Sequence, residues 1–224
     1  EAQRAKAAPV TAKRHAANIE LNAPYIAEMA RADLYERFGE QIYTGGYSVY
    51  TSVDSSLQQR AINAVRKVCD DYDKRHGYRG AIERMGSDAA TDLRLMETRL
   101  NKTPSWGHLH PAIVTAIEDQ SAQIYLGKDN FSVIPWQGLA WARPYISEDR
   151  RGKAPEKPAD VVAVGDLIYV LEETESADKK SNKPTTTYWR LAQLPQVSSA
   201  FIALNPENGA IISLVGGYDY YQTK

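Results

Sequence analysis

Hydrophobic residues recur at helical spacing in three segments of the chain. The first segment begins at Asn22 and Pro24 and ends before Gly39, the second follows the N-cap candidate Asp54, and the third begins at Ser87 and ends before Pro104. These segments predict three amphipathic helices. Their apolar positions are Ile26, Met29, Ala30, Leu34 and Phe38 in the first, Leu57, Ala61, Val65, Val68 and Tyr72 in the second, and Leu93, Met96 and Leu100 in the third.

Short segments with the composition of β-strands make up most of the remaining chain. Residues 47–53 are β-branched and aromatic, which predicts a half-buried strand before the second helix. Five more short strands are predicted after the third helix, with an insertion at 137–164 between the third and the fourth. Their order predicts a five-stranded Greek-key barrel of the OB type. The five segments are 110–117, 121–126, 131–136, 166–171 and 187–194.

The last part of the chain predicts a hairpin. Residues 197–204 and 210–215 are almost continuously apolar, and the Asn208-Gly209 pair between them is a strong turn signal. Continuous apolar runs are typical of strands that are buried on both faces. We therefore expect an α+β chain in which the barrel is inserted into the edge of a sheet formed by the 47–53 strand and this hairpin. We also expect the hairpin to expose apolar faces and to favour self-association.

Composition and charge narrow the functional classes. The chain has 224 residues, 27 Lys and Arg against 28 Asp and Glu, and a formal charge of −1. A near-neutral chain argues against nucleic acid as the main ligand. No apolar run is long enough to span a membrane, and residues 1–18 predict a basic, alanine-rich linker. The chain begins without Met and stops after a strand-like segment, so we expect it to be part of a longer protein.

The residues do not assemble into a recognisable catalytic, cofactor or metal site. No glycine-rich phosphate loop is present, and the formal Ser-x-x-Lys match from Ser176 to Lys179 lies in a polar loop. His108 and His110 would share one face of a strand, but no further ligand is nearby. Cys69 has no partner for a disulfide, and its helix position predicts a buried thiol. The charged segment 70–80 predicts a structured turn.

Loops on a rigid barrel are the natural place for recognition. The insertion 137–164 and the loop 172–186 are therefore the predicted contact surfaces. The aromatic and basic residues of the first surface, together with the tryptophan just before it, are the candidate partner-binding residues. They are Trp136, Trp141, Tyr145, Arg150 and Arg151.

Three collinear segments carry a family resemblance. Residues 46–58 (GYSVYTSVDSSLQ), 71–80 (DYDKRHGYRG) and 203–217 (ALNPENGAIISLVGG) resemble class A penicillin-binding proteins of the 1A type. The resemblance implies a linker with a helix at 1–45, the first strand and helix of a transpeptidase domain at 46–80, an OB-type inserted domain at 81–196, and the start of the transpeptidase sheet at 197–224. The catalytic elements of such proteins would precede Glu1 or follow Lys224, so no catalytic residue is carried over.

The resemblance also implies a function. The parent protein would polymerise glycan and cross-link peptides in peptidoglycan synthesis at the periplasmic face of the bacterial inner membrane, with its membrane anchor outside this chain. The chain itself would be a non-catalytic, regulatory docking part, with no cofactor, whose partner is an outer-membrane lipoprotein activator or another envelope protein. Peptidoglycan is a further partner that the resemblance allows. Two alternatives remain open: a passive spacer between catalytic domains, and an OB module that binds glycan directly.

Overall fold

A computed structural model describes residues 21–175 and 185–223 of the chain. It contains four α-helices in this part: α1 (Pro24–Phe38), α2 (Ser55–His76), α3 (Leu93–Lys102) and the short α4 (Trp136–Leu139). The three predicted helices are confirmed as helices, but α1 buries none of its predicted apolar positions among the described residues, and one helix start is corrected. The third begins at Leu93 instead of Ser87, because the Asp92 carboxylate accepts hydrogen bonds from the backbone N–H groups of Arg94 and Leu95.

The buried face of α2 differs from the predicted one. Asp54 caps the helix as predicted, since its side chain accepts from the N–H of Leu57. Leu57 and Val68, however, are 46% and 57% exposed. The buried positions are rotated around the helix and include two polar residues, which hydropathy alone assigns to the surface. They are Gln58, Ala61, Ile62, Val65, Cys69 and Asp73. The prediction of a buried Cys69 is confirmed, and burial raises the pKa of its thiol.

The five predicted barrel strands are confirmed within a few residues. The strands of the main sheet are β1 (Glu83–Arg84), β2 (His110–Ile117), β3 (Ser121–Tyr125), β4 (Phe131–Pro135), β7 (Asp166–Glu175) and β8 (Thr186–Ala192). The sheet is antiparallel, with β1, β7, β2, β3 and β4 in that order, and β8 also pairs with β7. The edge strands β4 and β8 lie against each other without a hydrogen-bonded ladder among the described residues, so the barrel is present as a curled sheet.

Strand β7 is buried on both faces. On one face, Ile168 and Val170 enter the core inside the curled sheet, to which β2, β3, β4 and β8 also contribute. On the other face, Leu167 packs with α3, whereas Tyr169 and Leu171 pack with α2. Side chains that alternate along a strand reach opposite faces, and here both faces are covered. The near-continuous apolar sequence of β7 follows from this double burial.

The insertion 137–164 and the C-terminal segment each form a two-stranded hairpin. The first consists of β5 (Tyr145–Ser147) and β6 (Arg150–Arg151), and the second of β9 (Phe201–Leu204) and β10 (Ile211–Val215). The predicted C-terminal hairpin is therefore confirmed. Its predicted burial on both faces is wrong for the described chain, because Phe201, Ile202 and Leu204 are 43%, 59% and 54% exposed. This exposure agrees with the expectation of uncovered apolar faces.

The predicted strand at 47–53 is wrong: these residues form no strand in the structure. Most of the segment is exposed, and Tyr50 is 94% exposed, so it has no neighbouring sheet to complete a ladder. Only its end approaches β10, where the Ser52 hydroxyl donates to the carbonyl O of Ile211 at 2.7 Å. The N–H of Asp54 then donates to the carbonyl O of Ile212 at 3.0 Å.

A buried glutamine continues this contact between α2 and β10. The Gln58 side chain is 1% exposed; its Nε2 donates to the carbonyl O of Leu214 and its Oε1 accepts from the N–H of Leu214, both at 2.8 Å. The side-chain amide thus reproduces the two hydrogen bonds of a neighbouring strand residue. Buried backbone polar groups need such partners, so Gln58 makes it possible for a helix to cover the edge of β10.

Replacing Gln58 should therefore loosen the hairpin. We expect Gln58→Ala to lower the free energy of unfolding by about 2 kcal/mol, since it leaves two backbone groups of Leu214 without partners. Amide hydrogen exchange at Leu214 should accelerate in the same variant. The control is Gln59→Ala, because Gln59 is exposed and its side chain donates to the neighbouring Asn63 on the same helix. Equal exchange at Leu214 in both variants would contradict the role given to Gln58.

The exposed face of β9 should cause self-association. We expect the chain to form dimers or larger species as its concentration rises, and Ile202→Lys to weaken this association because it adds charge to an exposed apolar strand. Sedimentation velocity over a concentration series measures the effect. Ile146→Lys on β5 is the matched control, since Ile146 is 52% exposed on another short strand. A chain that stays monomeric throughout the series would refute the expectation.

Candidate docking surface

The structure separates the predicted partner-binding residues into two groups. Trp136 begins α4 and Trp141 follows it, and both indole rings are half-buried against the core of the curled sheet. The Trp141 Nε1–H donates to the carbonyl O of Leu191 at 3.0 Å. Its ring meets Tyr78 edge-on, with 6.0 Å between the ring centroids. In this structure the two indoles pack the core, and a role for them in partner binding stays a prediction.

The second group lies together on the β5–β6 hairpin. Tyr145 pairs with Arg151 across the two strands, and Arg150 pairs with Ser147. Both arginines are exposed, whereas Tyr145 is half-buried and its hydroxyl donates to Glu148 at 3.3 Å. The hairpin therefore presents two guanidinium groups to solvent beside an aromatic ring.

Backbone contacts fix this hairpin to the end of α2. The N–H of Tyr78 donates to the carbonyl O of Arg143 at 2.7 Å, and the N–H of Tyr145 donates to the carbonyl O of Tyr78 at 2.9 Å. Gly77, with φ of 106°, makes the approach possible, because a Cβ there would lie 2.7 Å from the carbonyl O of Arg143. The position of the hairpin is thus set by the chain immediately after α2.

A buried ion pair holds the same junction from the other side. Asp73 is 3% exposed, and the Arg79 Nη2 donates to its Oδ2 at 2.6 Å and to the carbonyl O of Leu194 at 2.7 Å. The Gln193 side chain adds two hydrogen bonds to this junction. Its Oε1 accepts from the N–H of Arg79 and its Nε2 donates to the carbonyl O of Gly77, both at 2.9 Å. A charge that is buried with its hydrogen bonds satisfied resists displacement.

A cleft opens between the end of α2 and the β5–β6 hairpin. It has a volume of about 180 Å³ and is lined by Tyr72, His76, Arg79 and Tyr145, among others. The rings of Tyr72 and His76 are stacked with 4.0 Å between centroids, and the His76 Nδ1 lies 2.7 Å from the carbonyl O of Tyr72. The cleft thus presents aromatic and charged groups beside the hairpin.

A second charged group connects α2 to the long hairpin of β7 and β8. Lys74 Nζ lies 3.8 Å from the Glu173 carboxylate, which also forms an ion pair with the buried Arg190. Burial, together with the positive charge of Arg190, lowers the pKa of Lys74. The prediction of a structured turn at 70–80 is wrong for its first part, because residues 70–76 belong to α2 and only 77–80 follow the helix; the charges are used in packing.

The two histidines near β2 have different partners. His108 Nε2 lies 2.9 Å from the Asp70 carboxylate and 3.2 Å from the Tyr218 hydroxyl, which itself donates to Asp70 at 3.1 Å. His110 lies on β2 and meets the ring of Trp189 at a right angle. Across residues 21–175 and 185–223, no cluster of three or more side chains suited to a metal ion is found.

Two further features concern chemistry and membrane contact. The Ser-x-x-Lys match at 176–179 lies outside the described residues. Within the described part of the chain, no helix combines the length and the apolar character that crossing a bilayer requires.

Sequence reasoning missed the residues that position the hairpin. Asp73, Arg79 and Gln193 lie on α2, after α2 and after β8, and they meet only in the folded chain. The one available signal was the alternation of charge signs in 70–80, which indicates paired charges without naming the partners.

Comparisons with known proteins agree with this architecture. A family model described as "Penicillin-binding protein OB-like domain" matches residues 78–197. Penicillin-binding protein 1A of Vibrio cholerae is 41% identical over 224 residues, which cover 98% of this chain and 26% of that protein. Penicillin-binding protein 1A of Escherichia coli is 38% identical over 218 residues, covering 96% of this chain and 24% of that protein.

A solved structure gives the same result. The crystal structure of penicillin-binding protein 1A from Haemophilus influenzae matches with a TM-score of 0.75 and 32% identity, over 99% of this chain and 29% of that one. The chain thus spans about a quarter of the length of the curated relatives named above. Since the family model covers more than half of the chain, the chain belongs to the penicillin-binding protein OB-like domain family, as part of a class A penicillin-binding protein of the 1A type.

Proposed function

We propose that this chain is a non-catalytic docking and regulatory part of a penicillin-binding protein that synthesises peptidoglycan. The parent polymerises glycan and cross-links peptides, and the chain acts at the periplasmic face of the bacterial inner membrane. Its partner is an outer-membrane lipoprotein activator or another envelope protein. The relatives named penicillin-binding protein 1A support the link to the cell wall. In this proposal, the catalytic elements of the parent lie outside residues 1–224.

The geometry of the β5–β6 hairpin is the observation that favours docking. Arg150 and Arg151 are exposed on a hairpin that backbone hydrogen bonds tie to the end of α2 through Tyr78. A rigid scaffold that presents exposed charged side chains is typical of a recognition surface. An exposed guanidinium group suits a carboxylate on a partner protein, and each of the two arginines can bind one.

Regulation would follow from the position of this hairpin. The buried pair of Asp73 and Arg79 joins α2 to the segment after β8, and Tyr78, directly before Arg79, bonds to the hairpin. Since α2 also covers the edge of β10, a partner on the hairpin would act on an element that contacts both the curled sheet and the C-terminal hairpin. A passive spacer remains the alternative, because the same junction would also fix the distance between two domains.

Charge reversal on the hairpin tests the proposal. The immobilised chain is presented with a detergent-solubilised Gram-negative envelope, and a recovered lipoprotein is identified, purified as its soluble domain and titrated against the chain. We expect the double variant Arg150→Glu, Arg151→Glu to weaken this binding at least tenfold, because it replaces attraction by repulsion. The dissociation constant by titration calorimetry is the measurement.

The control variant changes the same amount of charge elsewhere. Arg60→Glu with Lys102→Glu reverses two exposed cations on α2 and α3 and should leave the dissociation constant unchanged. Equal weakening by both double variants would show a non-specific charge effect. If a chain that is folded by circular dichroism recovers no envelope lipoprotein, the spacer alternative is favoured.

A further inference from the structure

A groove separate from the docking hairpin lies between α3 and the turn that joins β3 to β4. Its volume is about 590 Å³, within the range of roughly 300–1,000 Å³ that is usual for ligand sites. Leu100, Pro111 and Leu126 supply apolar surface to it. It is lined by residues of α3, β2 and β8 as well as by the turn, so its shape depends on four parts of the fold.

Two aromatic rings contribute to the groove. His110 on β2 and Trp189 on β8 stand at 90° to each other, with 5.9 Å between ring centroids. His110 is paired with Val170, and Trp189 lies two residues before Leu191 on its strand. Val170 and Leu191 both belong to the core inside the curled sheet, so the two rings lie on its concave face. His110 is exposed and Trp189 is half-buried, which leaves ring surface at the groove.

The opposite wall is held by one carboxylate. Glu97 on α3 accepts from the Tyr125 hydroxyl at 2.7 Å and from the N–H of Lys128 at 3.0 Å. The turn itself has an uncommon backbone, because Lys128 and Asp129 both have positive φ, at 52° and 57°. The hydrogen bonds to Glu97 keep the turn in this conformation, so the groove is preformed instead of closing around a ligand.

The polar groups of the rim do not favour a charged ligand. Among the lining residues, the positive charge of Lys128 and the negative charge of Glu97 cancel. His110 is the remaining titratable residue of the lining. Hydrogen bonds from Tyr125 and from the N–H of Lys128 lower the pKa of Glu97, which keeps it ionised at neutral pH. The side-chain amide of Asn130 is exposed at the same rim.

We propose that this groove binds an uncharged oligosaccharide chain. The C–H groups of a sugar ring pack against aromatic faces such as those of Trp189 and His110, and its hydroxyl groups need amide and hydroxyl partners of the kind that Asn130, Thr103 and Ser105 supply. A rim without net charge disfavours phosphate-bearing ligands, which need cations. This site is distinct from the protein-docking hairpin and does not depend on it.

Nuclear magnetic resonance of the ¹⁵N-labelled chain tests the site directly. The probes are the β-1,4-linked tetramer of N-acetylglucosamine and cellotetraose, which has the same linkage without acetamido groups. We expect saturable shifts of the Trp189 indole N–H and the Asn130 side-chain amide. The Trp141 indole N–H, bonded to Leu191, should stay in place. Binding of either probe at this groove supports the proposal, and a preference between them identifies whether the acetamido group is recognised.

Variants separate this groove from other surfaces. We expect His110→Ala and Asn130→Ala each to weaken the binding of the better probe by about fivefold or more, as loss of one good contact does. Asn63→Ala is the matched control, since Asn63 is an exposed amide on α2 away from the groove. Both substituted side chains are exposed, and thermal unfolding checks that each variant is folded.

Two outcomes would overturn the proposal. One is the absence of any saturable shift with both probes at millimolar concentration, where even weak sugar binding is detected. The other is binding that survives the double variant His110→Ala, Asn130→Ala in a folded chain, because the sugar would then occupy a different surface.

Discussion

The burial of β7 on both faces is the constraint on which the remaining structure depends. Six consecutive residues, 166–171, are buried, so each face of the strand needs its own cover. The curled sheet covers one face, and α2 and α3 divide the other between them. Both helices bury side chains against β7, and α2 also packs against β10, whereas α3 also packs against β2. The helices and the curled sheet therefore form one interdependent structure.

Buried polar side chains provide the specificity that apolar packing lacks. The buried Gln58 side chain forms hydrogen bonds with the backbone of Leu214, and the buried Asp73 carboxylate accepts a hydrogen bond from Arg79. An apolar side chain at position 58 or 73 could pack in several arrangements, whereas each hydrogen-bonded pair fixes a single arrangement. The position of the β5–β6 hairpin depends on this pairing, because Gly77 and Tyr78, which contact the hairpin, lie between Asp73 and Arg79 on the chain. The proposed groove has a similar origin, because the carboxylate of Glu97 fixes its wall.

Local sequence patterns predicted the strands of the curled sheet well, but they predicted the buried face of α2 less well. The first and last residues of β2 and β3 could be predicted because they depend on apolar alternation and turn residues, which are features of a few neighbouring positions. The buried face of α2 was misplaced because Gln58 and Asp73 are buried through partners that lie far away in sequence. The strand at 47–53 was predicted from β-branched composition, but a strand needs a neighbour, and in this part of the chain only Ser52 and Asp54 reach one. The exposure of an indole has no sequence signature either: Trp141 is tied to the core, while Trp189 reaches a groove.

The side-chain amide of Gln58 also determines at which edge of the C-terminal hairpin a further strand can pair. On the α2 side, the edge of β10 is already occupied by Ser52, Asp54 and Gln58, so no further strand can pair there without displacing them. Among the described residues, no strand lies beside the outer edge of β9. Additional strands, from whatever source, can therefore extend this sheet only outward from β9. Helix α2 thus ends the sheet at β10, so the sheet can be extended at one edge only.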